Sequence, residues 1–241
     1  VNPMDGRFFT EYRTPHIYNN FIKKGVNFTN YYVETTLCCP GRAGNLTGQH
    51  SQNHKVVDLD GNNFDPATTV ATELKGSGYY TMLIGKYLNR YKEFKMAAKL
   101  DPIGWNVFDG IFENNGKFYN YNIREKGGKI VYYGSAPKDY STDVITNRGL
   151  SRLKAAPANK PVYLELNPYA IHAPHLPAPR HIGSPRCKNI QPWTAPNVGE
   201  VDVSDKAQFI RELPKKVVRQ LDHAKTQRIP CPNTRLPRLV T

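Results

Sequence analysis

The chain has 241 residues, of which 39% are hydrophobic and 11% aromatic, a composition that favours a globular fold with a sizeable core over disorder. No apolar run approaches the roughly 18 residues that a spanning helix needs, so we expect no membrane span. The formal charge of +13 suits an anionic ligand, but aromatic and basic residues do not interleave as in a nucleic-acid-binding module, so we expect no nucleic-acid partner. Its four cysteines are too few and too irregular for a disulfide scaffold or a Cys-x-x-Cys zinc site.

The first third of the chain alternates predicted helices with β-prone segments. Thr14–Lys24 predicts a short helix, with a proline at its first helical position and a glycine directly after it. Val26–Val33 is aromatic and β-prone, whereas Pro40–Leu46 and Ala67–Leu74 each indicate a helix. Tyr79–Leu88 is apolar with little alternation, which is typical of a strand buried in a parallel sheet.

The middle of the chain continues this alternation. Asn89–Ser135 is rich in Gly, Asn and Tyr and predicts loops with short antiparallel strands. Ser141–Ala155 has apolar residues at helical spacing, and Pro161–Asn167 is the clearest strand in the sequence. Helix–strand alternation of this kind predicts an open α/β sheet, in which ligands bind beyond the carboxyl ends of the strands.

The last part of the chain differs in character. Arg180–Gly199 predicts loops and Val201–Pro214 a short helix. Lys215–Thr241 carries seven basic residues against the single acid Asp222, so it contributes about half of the net charge. Prolines interrupt this basic segment and apolar residues become sparse, so we expect residues 216–241 to be a loosely ordered tail.

The most specific pattern lies in Thr35–Gly48, which reads TTLCCPGRAGNLTG. It contains Cys-x-Pro-x-Arg at Cys38, Pro40 and Arg42, followed by Leu-Thr-Gly. This segment resembles the signature of the sulfatases, in which a dedicated oxidase converts the first cysteine to formylglycine. Gly41 departs from the pattern, since the family usually has a serine there.

Other segments resemble the glucosamine-6-sulfatases and extracellular arylsulfatases of the same family. They are Gly48–His54, Gly85–Asn89, Gly104–Trp105, Tyr119–Tyr121, Tyr140–Asp143, Lys160–Leu166, Pro177–His181 and Asp202–Lys206. The resemblance implies an alkaline-phosphatase-like α/β sandwich, with a mixed, mostly parallel sheet flanked by helices. It also implies that residues 1–215 form a partial sulfatase catalytic domain, without the family's first strand and carboxy-terminal half.

For Cys38, the resemblance implies the role of nucleophile. An aldehyde hydrate has two geminal hydroxyls, one to attack sulfur and one to expel the sulfate later, an exit route that an ordinary Ser or Cys nucleophile lacks. At the start of a helix, the backbone N–H groups and the positive end of the dipole would face the sulfate oxygens. Arg42, about one turn along, would hold the hydrate and add fixed positive charge.

Four further residues take roles from the resemblance. Lys86 would neutralise a sulfate oxygen, and His172 would bind sulfate or protonate the leaving-group oxygen. His175, three positions later, is the second choice for that acid and substrate-binding role. His54 is a weaker candidate for holding the hydrate or the substrate.

The resemblance also implies a calcium or similar divalent ion, with Cys38, as formylglycine, among its ligands. The family's other ligands are two adjacent aspartates on the first strand and a later Asp-Asn pair. Before Thr14 this sequence has only Asp5, and after Lys216 it has no Asp-Asn-Gly. Since hard cations need several oxygen ligands, we expect the remaining metal ligands to be absent from this chain.

The predicted activity is hydrolysis of aryl or carbohydrate sulfate esters, after maturation by the formylglycine-generating oxidase. Two alternatives stay open: a truncated, inactive homologue that binds sulfated polyanions, and a phosphate or phosphonate hydrolase of the same superfamily. The sequons at Asn27 and Asn45 favour the secretory pathway, with an extracellular or lysosome-like destination. The chain begins at Val1 without a signal segment, so we expect it to start inside a precursor or to be a fragment.

Overall fold

The computed structural model describes residues 10–12, 14–26, 28, 31–91, 101–112, 117–170, 172–174, 176–185 and 202–212. The chain divides into two compact units, one formed by residues 30–170 and the other by residues 1–29 and 171–241. The first of these, called the sheet unit below, contains every strand described. No helix in the described ranges is both long and apolar enough to cross a bilayer.

The sheet unit is built on a mixed sheet. Its strands are β1 (Tyr80–Gly85), β2 (Val107–Phe112), β3 (Tyr121–Glu125), β4 (Ile130–Tyr133) and β5 (Val162–Asn167). They are ordered β4-β3-β2-β1-β5; β5, β1 and β2 are parallel, and β3 and β4 add antiparallel pairs at one side. The predicted buried strand, the short antiparallel strands and the strand before His172 are thereby confirmed.

The described helices overlap the predicted segments, except for the short helix at Ser51–His54, which the sequence did not predict. They are α1 (Pro15–Ile17), continued by a π-helical turn at Tyr18–Ile22, α2 (Cys38–Thr47), α3 (Ser51–His54), α4 (Val70–Gly76), α5 (Ser141–Lys154) and α6 (Gln208–Arg211), with 3-10 turns at Gly61–Asn63, Pro137–Asp139 and Pro179–His181. One difference, at α2, affects the site. It begins at Cys38 itself, two residues before the predicted start at Pro40, so the motif cysteine occupies the first turn.

The helix α2 covers one face of the sheet. Cys39, Ala43 and Leu46 are spaced as one helix face and are buried in a core cluster with Leu83 of β1 and Phe108 of β2. Tyr163 of β5 packs against this cluster. Because side chains alternate along a strand, Glu165 and Asn167 lie on that same face of β5.

The helix α5 covers the opposite face of β5, where a Cβ on Gly149 would lie 2.7 Å from the Leu166 side chain. An ion network joins α5 to β2 and β3. Asp109 is 1% exposed and accepts hydrogen bonds from Arg148 at 3.1 Å and from Arg152 at 3.0 and 3.1 Å. Both arginines therefore compensate a buried carboxylate and fix α5 on the sheet.

The β-prone segment Val26–Val33 forms no strand in its described residues, so that prediction is wrong there. Val26, Phe28, Tyr31 and Tyr32 are between 67% and 84% exposed. Strand preference reflects how well side chains fit a pleated, half-buried surface, and these side chains pack on no sheet.

Candidate active site

The site begins at the amino-terminal end of α2, where Cys38 is the first helical residue. Leu37 precedes it in an extended conformation and makes no side-chain capping bond to the first turn. The first-turn N–H groups and the positive end of the helix dipole are therefore available to an anion. Cys38 is half-buried and forms no disulfide.

Its neighbour Cys39, in contrast, is fully buried. It is 0% exposed, and its Sγ lies 3.9 Å from the carbonyl oxygen of Asn89. Burial raises the pKa of the Cys39 thiol to about 11. Since the thiolate is the reactive form, Cys39 is a core residue, and Cys38 is the thiol at the helix terminus.

Arg42 lies one turn further along α2. Its Nη1 donates a hydrogen bond of 3.1 Å to the backbone carbonyl oxygen of Lys86. Burial lowers the pKa of Arg42, while negative charge on Glu165 and on Cys38 acts in the opposite direction. Arg42 is thus close enough to Cys38 to interact with it electrostatically.

Lys86 directly follows β1, and its position depends on the glycine before it. Gly85 has a φ of +114°, and a Cβ there would lie 2.1 Å from the carbonyl oxygen of Asn167. The backbone N–H of Lys86 donates to that same oxygen at 2.8 Å. Only glycine lets the backbones of β1 and β5 approach so closely at the carboxyl end of the sheet.

The ammonium group of Lys86 interacts electrostatically with Cys38 and Arg42. Burial lowers the pKa of its ammonium group, negative charge on Cys38 raises it, and Arg42 lowers it. The Lys86 Nζ lies 5.9 Å from the centroid of the Tyr169 ring, within the range of a cation–π contact. Two cationic side chains therefore meet Cys38 in a partly desolvated setting, where charge interactions are stronger than in water.

Sequence reasoning missed Tyr169 and Glu165. Tyr169 is 9% exposed, and burial and the charge on Cys38 raise its pKa. The Glu165 carboxylate accepts a 2.7 Å hydrogen bond from the side-chain amide of Asn167. Its negative charge acts on Arg42 and raises the pKa of that guanidinium. The sequence signal for both is their position at the carboxyl end of β5, where ligands bind in a parallel sheet. Glu165 and Asn167 lie on one face of this strand, and Tyr169 lies two residues beyond its end.

His54, the last residue of α3, is buried beside α2. It is 7% exposed, and its Nδ1 accepts a 3.2 Å hydrogen bond from the backbone N–H of Val56, which places the proton of a neutral ring on Nε2. That Nε2 has no hydrogen-bond partner in the described part of the chain. It lies 3.7 Å from the Cβ position of Gly44, six residues beyond Cys38 on α2. The role predicted for His54 stays a prediction.

The two candidate acids belong to the other unit or lie outside the described residues. His172 is exposed, and its ring Nδ1 lies 2.8 Å from the carbonyl oxygen of Ala173. His175 is outside the described residues, as are Asn27 and the tail at 216–241. The structure thus groups Cys38, Arg42 and Lys86, and the acid role of His172 or His175 stays a prediction.

Gly41, where the family resemblance implies a serine, is closely packed against the segment before the helix. A Cβ on Gly41 would lie 2.6 Å from the carbonyl oxygen of Thr35. The segment containing Thr35 is held by Glu34, whose carboxylate accepts hydrogen bonds from Ser51 N at 3.2 Å, Ser51 Oγ at 2.5 Å and Thr35 Oγ1 at 2.6 Å. Hydrogen bonds from Ser51 and Thr35 lower the pKa of Glu34 to about 2.

The described residues do not assemble the calcium site that the family resemblance implies. Within the ranges given above, no three His, Cys, Asp or Glu side chains form a group that could hold a metal ion. Glu165 already has the cation of Arg42 as its neighbour at the site, which disfavours a further cation there. We therefore assign no step to a metal.

Comparison with known proteins identifies the family. The sulfatase family profile matches residues 8–224. The chain belongs to the sulfatase family. It is 34% identical over 167 residues to the extracellular sulfatase SULF-1 homolog of Drosophila melanogaster, covering 65% of this chain and 14% of that protein. It is also 34% identical over 183 residues to the N-acetylglucosamine-6-sulfatase of Homo sapiens, covering 68% of this chain and 33% of that protein.

A solved structure supports the fold assignment. It shows a protein in complex with its substrate D-glucosamine-2-N,6-O-disulfate, is 28% identical to this sulfatase, and superposes with a TM-score of 0.53. The match covers 65% of this chain and 29% of that one. The predicted family and the alkaline-phosphatase-like α/β fold are confirmed, and the chain spans a third or less of the length of these relatives.

Proposed function

We propose that this sulfatase is a sulfuric ester hydrolase that acts through Cys38 after its oxidation to formylglycine. One observation carries the proposal: Cys38 lies at the uncapped start of α2 and is electrostatically coupled to both Arg42 and Lys86. A sulfate group is a compact anion that gains from a helix terminus and from fixed cations together.

The position of Cys38 fits the modified residue, because the side chain is half-buried at the anion-binding end of the helix. As a formylglycine hydrate it would supply one hydroxyl to take the sulfuryl group and a second whose deprotonation releases sulfate. Lys86 would neutralise a sulfate oxygen, and Arg42 would orient the hydrate through N–H groups other than the one bonded to the Lys86 carbonyl. His172, or in its place His175, would give a proton to the departing alcohol.

The relatives favour a sugar sulfate as the natural substrate. One is named N-acetylglucosamine-6-sulfatase, and a similar solved structure holds D-glucosamine-2-N,6-O-disulfate as its substrate. We extend this to a carbohydrate sulfate ester for the present chain, with aryl sulfates as convenient assay substrates. A relative named as an extracellular sulfatase and the sequon at Asn45 support a secretory route, on which the formylglycine-generating oxidase would be the maturation partner.

The test is the chemical state of Cys38. The chain is co-expressed with a formylglycine-generating oxidase, and the tryptic peptide Gly25–Arg42 is examined by tandem mass spectrometry and with a hydrazide probe for aldehydes. We expect formylglycine at position 38 and unmodified cysteine at Cys39, which is buried in the core. If the peptide contains only cysteine while a known sulfatase is converted in the same cells, the proposal is wrong.

A further inference from the structure

The backbone of Lys86 is fixed by hydrogen bonds from both of its polar groups. Its N–H donates to the carbonyl oxygen of Asn167 at 2.8 Å, and its own carbonyl oxygen accepts a 3.1 Å hydrogen bond from Arg42. The side chain keeps more freedom, because a lysine ammonium is carried on a flexible four-carbon stem. Ordering that stem costs conformational entropy, and a contact at its ammonium end would lower the cost of binding an anion.

The contact at the ammonium end is aromatic. Within the part of the chain that the structure describes, no carboxylate lies within ion-pair distance of the Lys86 ammonium. Its Nζ lies over the ring of Tyr169, 5.9 Å from the ring centroid. The negative face of an aromatic ring attracts a cation, and more strongly in a partly desolvated site than in water. An ammonium has three N–H donors, so a ring on one side leaves donors for an anion.

The pairing of β1 with β5 brings the two residues together. Gly85 and Asn167, the last residues of these parallel strands, lie opposite each other in the sheet. Lys86 is one residue beyond this pair and Tyr169 is two residues beyond it. Both side chains therefore leave the sheet at its carboxyl end, where Arg42 also reaches the backbone.

Tyr169 is itself held in a buried aromatic cluster. It is 9% exposed and packs edge-on to Phe118, with ring centroids 5.2 Å apart. Phe118 is 2% exposed and stacks on Tyr140 at 5.7 Å between centroids. The backbone N–H of Ser141, the first residue of α5, donates to the Phe118 carbonyl oxygen at 2.9 Å. The ring beside Lys86 is thus anchored to the start of α5 and is ordered before any ligand arrives.

We propose that Tyr169 is a positioning residue, whose ring face holds the Lys86 ammonium at the place where it meets a sulfate oxygen. The inference rests on the proposed function, since it takes Lys86 as the cation that neutralises the sulfate. It extends the site from the residues around Cys38 to the aromatic cluster at the start of α5.

The test is calorimetric titration of the full chain with inorganic sulfate. We expect Tyr169→Leu, which removes the ring and keeps apolar volume, to weaken sulfate binding by roughly 3- to 30-fold. Tyr169→Phe keeps the ring and should bind sulfate as the parent does. Tyr140→Leu is the matched control, because Tyr140 packs on the same Phe118 ring, and it should leave the sulfate affinity unchanged.

Two further measurements separate positioning from packing. Lys86→Met should weaken sulfate binding, and Tyr169→Leu should cause no further loss in that background, because residues that act through one another have non-additive effects. Phenylalanines that carry successively more ring fluorines at position 169 should weaken binding stepwise. Fluorine withdraws charge from the ring face and changes the shape of the side chain little, so packing alone would give no such series.

The positioning role is overturned by parental affinity in Tyr169→Leu, by an equal loss in Tyr140→Leu, by an additive loss in the Lys86→Met background or by a flat response to fluorination. These results leave the proposed function standing when Lys86→Met weakens sulfate binding. Equal affinity of the parent and Lys86→Met contradicts the proposed role of Lys86 instead, and the positioning role fails with it. Circular dichroism checks that each variant folds. If Tyr169→Leu does not fold, the fluorinated series decides, since its side chains keep the ring.

Discussion

The Arg42 guanidinium donates a 3.1 Å hydrogen bond to the backbone carbonyl oxygen of Lys86, although the two residues are 44 positions apart. This bond ties the first turns of α2 to the carboxyl end of β1. It places two cations beside Cys38, and the positive charge of Arg42 lowers the pKa of Lys86. The cationic site is therefore a property of the folded chain rather than of the Cys-x-Pro-x-Arg motif alone.

Replacing Lys86 with Met should remove the ammonium group and keep most of the apolar stem. We expect the rate of sulfate release from an aryl sulfate to fall by a factor of about 10² to 10³, the usual cost of losing one preorganised charge in a reaction centre. Initial-rate kinetics at saturating substrate measure this. Lys160→Met, at an exposed lysine in the turn before β5, is the control and should not alter the rate. A rate within threefold of the parent for Lys86→Met would remove Lys86 from the mechanism.

The carboxylate of Glu34 should make stability depend on pH in the acid range. Its pKa is lowered from 4.5 to about 2 by hydrogen bonds that the unfolded chain lacks. The folded state is therefore stabilised above pH 4.5, and this contribution is lost as the pH falls towards 2. Thermal unfolding of the parent and of Glu34→Gln should differ at pH 6 and converge near pH 2. A melting-temperature difference that is constant across this range would argue against the role of Glu34.

Two glycines of α2 make a matched pair for packing. Gly41→Ala places a Cβ 2.6 Å from the Thr35 carbonyl oxygen, whereas Gly44→Ala places one 3.3 Å from the Gln49 carbonyl oxygen. Both variants gain helix propensity, so the difference between them measures the overlap. We expect Gly41→Ala to lower the free energy of unfolding by about 1 to 3 kcal/mol, and Gly44→Ala to change it by less than about 1 kcal/mol. Urea unfolding tests this. Equal stabilities of the two variants would show that the segment before Cys38 moves aside at no measurable cost in free energy.

The ion network under α5 should be the most sensitive polar feature of the sheet unit. Asp109→Asn removes the buried charge that faces Arg148 and Arg152, and it takes from Arg152 its main partner, while Arg148 keeps Glu125 at 2.8 Å. We expect a loss of about 3 to 5 kcal/mol in the free energy of unfolding by urea. Glu11→Gln is the control, because Glu11 forms an ion pair with Lys23 in which the side chains are 63% and 50% exposed. This substitution should cost less than about 1 kcal/mol. A small effect at Asp109 would mean that the network relaxes when one charge is lost.

The parts of the site that the sequence predicted are those fixed by local chain geometry. Cys38 and Arg42 are one helical turn apart, so their side chains face the same direction once α2 forms. Lys86 was predicted from the family resemblance, within the predicted strand Tyr79–Leu88, and the structure places it directly after β1, at the end of a parallel strand where ligands bind.

Tyr169 and Glu165 were missed for a non-local reason. The approach of Tyr169 to Cys38 and of Glu165 to Arg42 depends on the register in which β5 pairs with β1, and this register is set by contacts such as that between Gly85 and Asn167. A single sequence does not specify which residues of two strands lie opposite each other. The segment Val26–Val33 shows the converse, since its composition favours a strand but its described residues are exposed and form none.

The most direct test of the account is sulfate release from an aryl sulfate, measured for the parent and for Cys38→Ala after both have been co-expressed with the oxidase. The account predicts release by protein that carries formylglycine at position 38 and none above background for Cys38→Ala. Release by Cys38→Ala at the parental rate would contradict it, as would the absence of release from protein whose residue 38 is shown to be formylglycine.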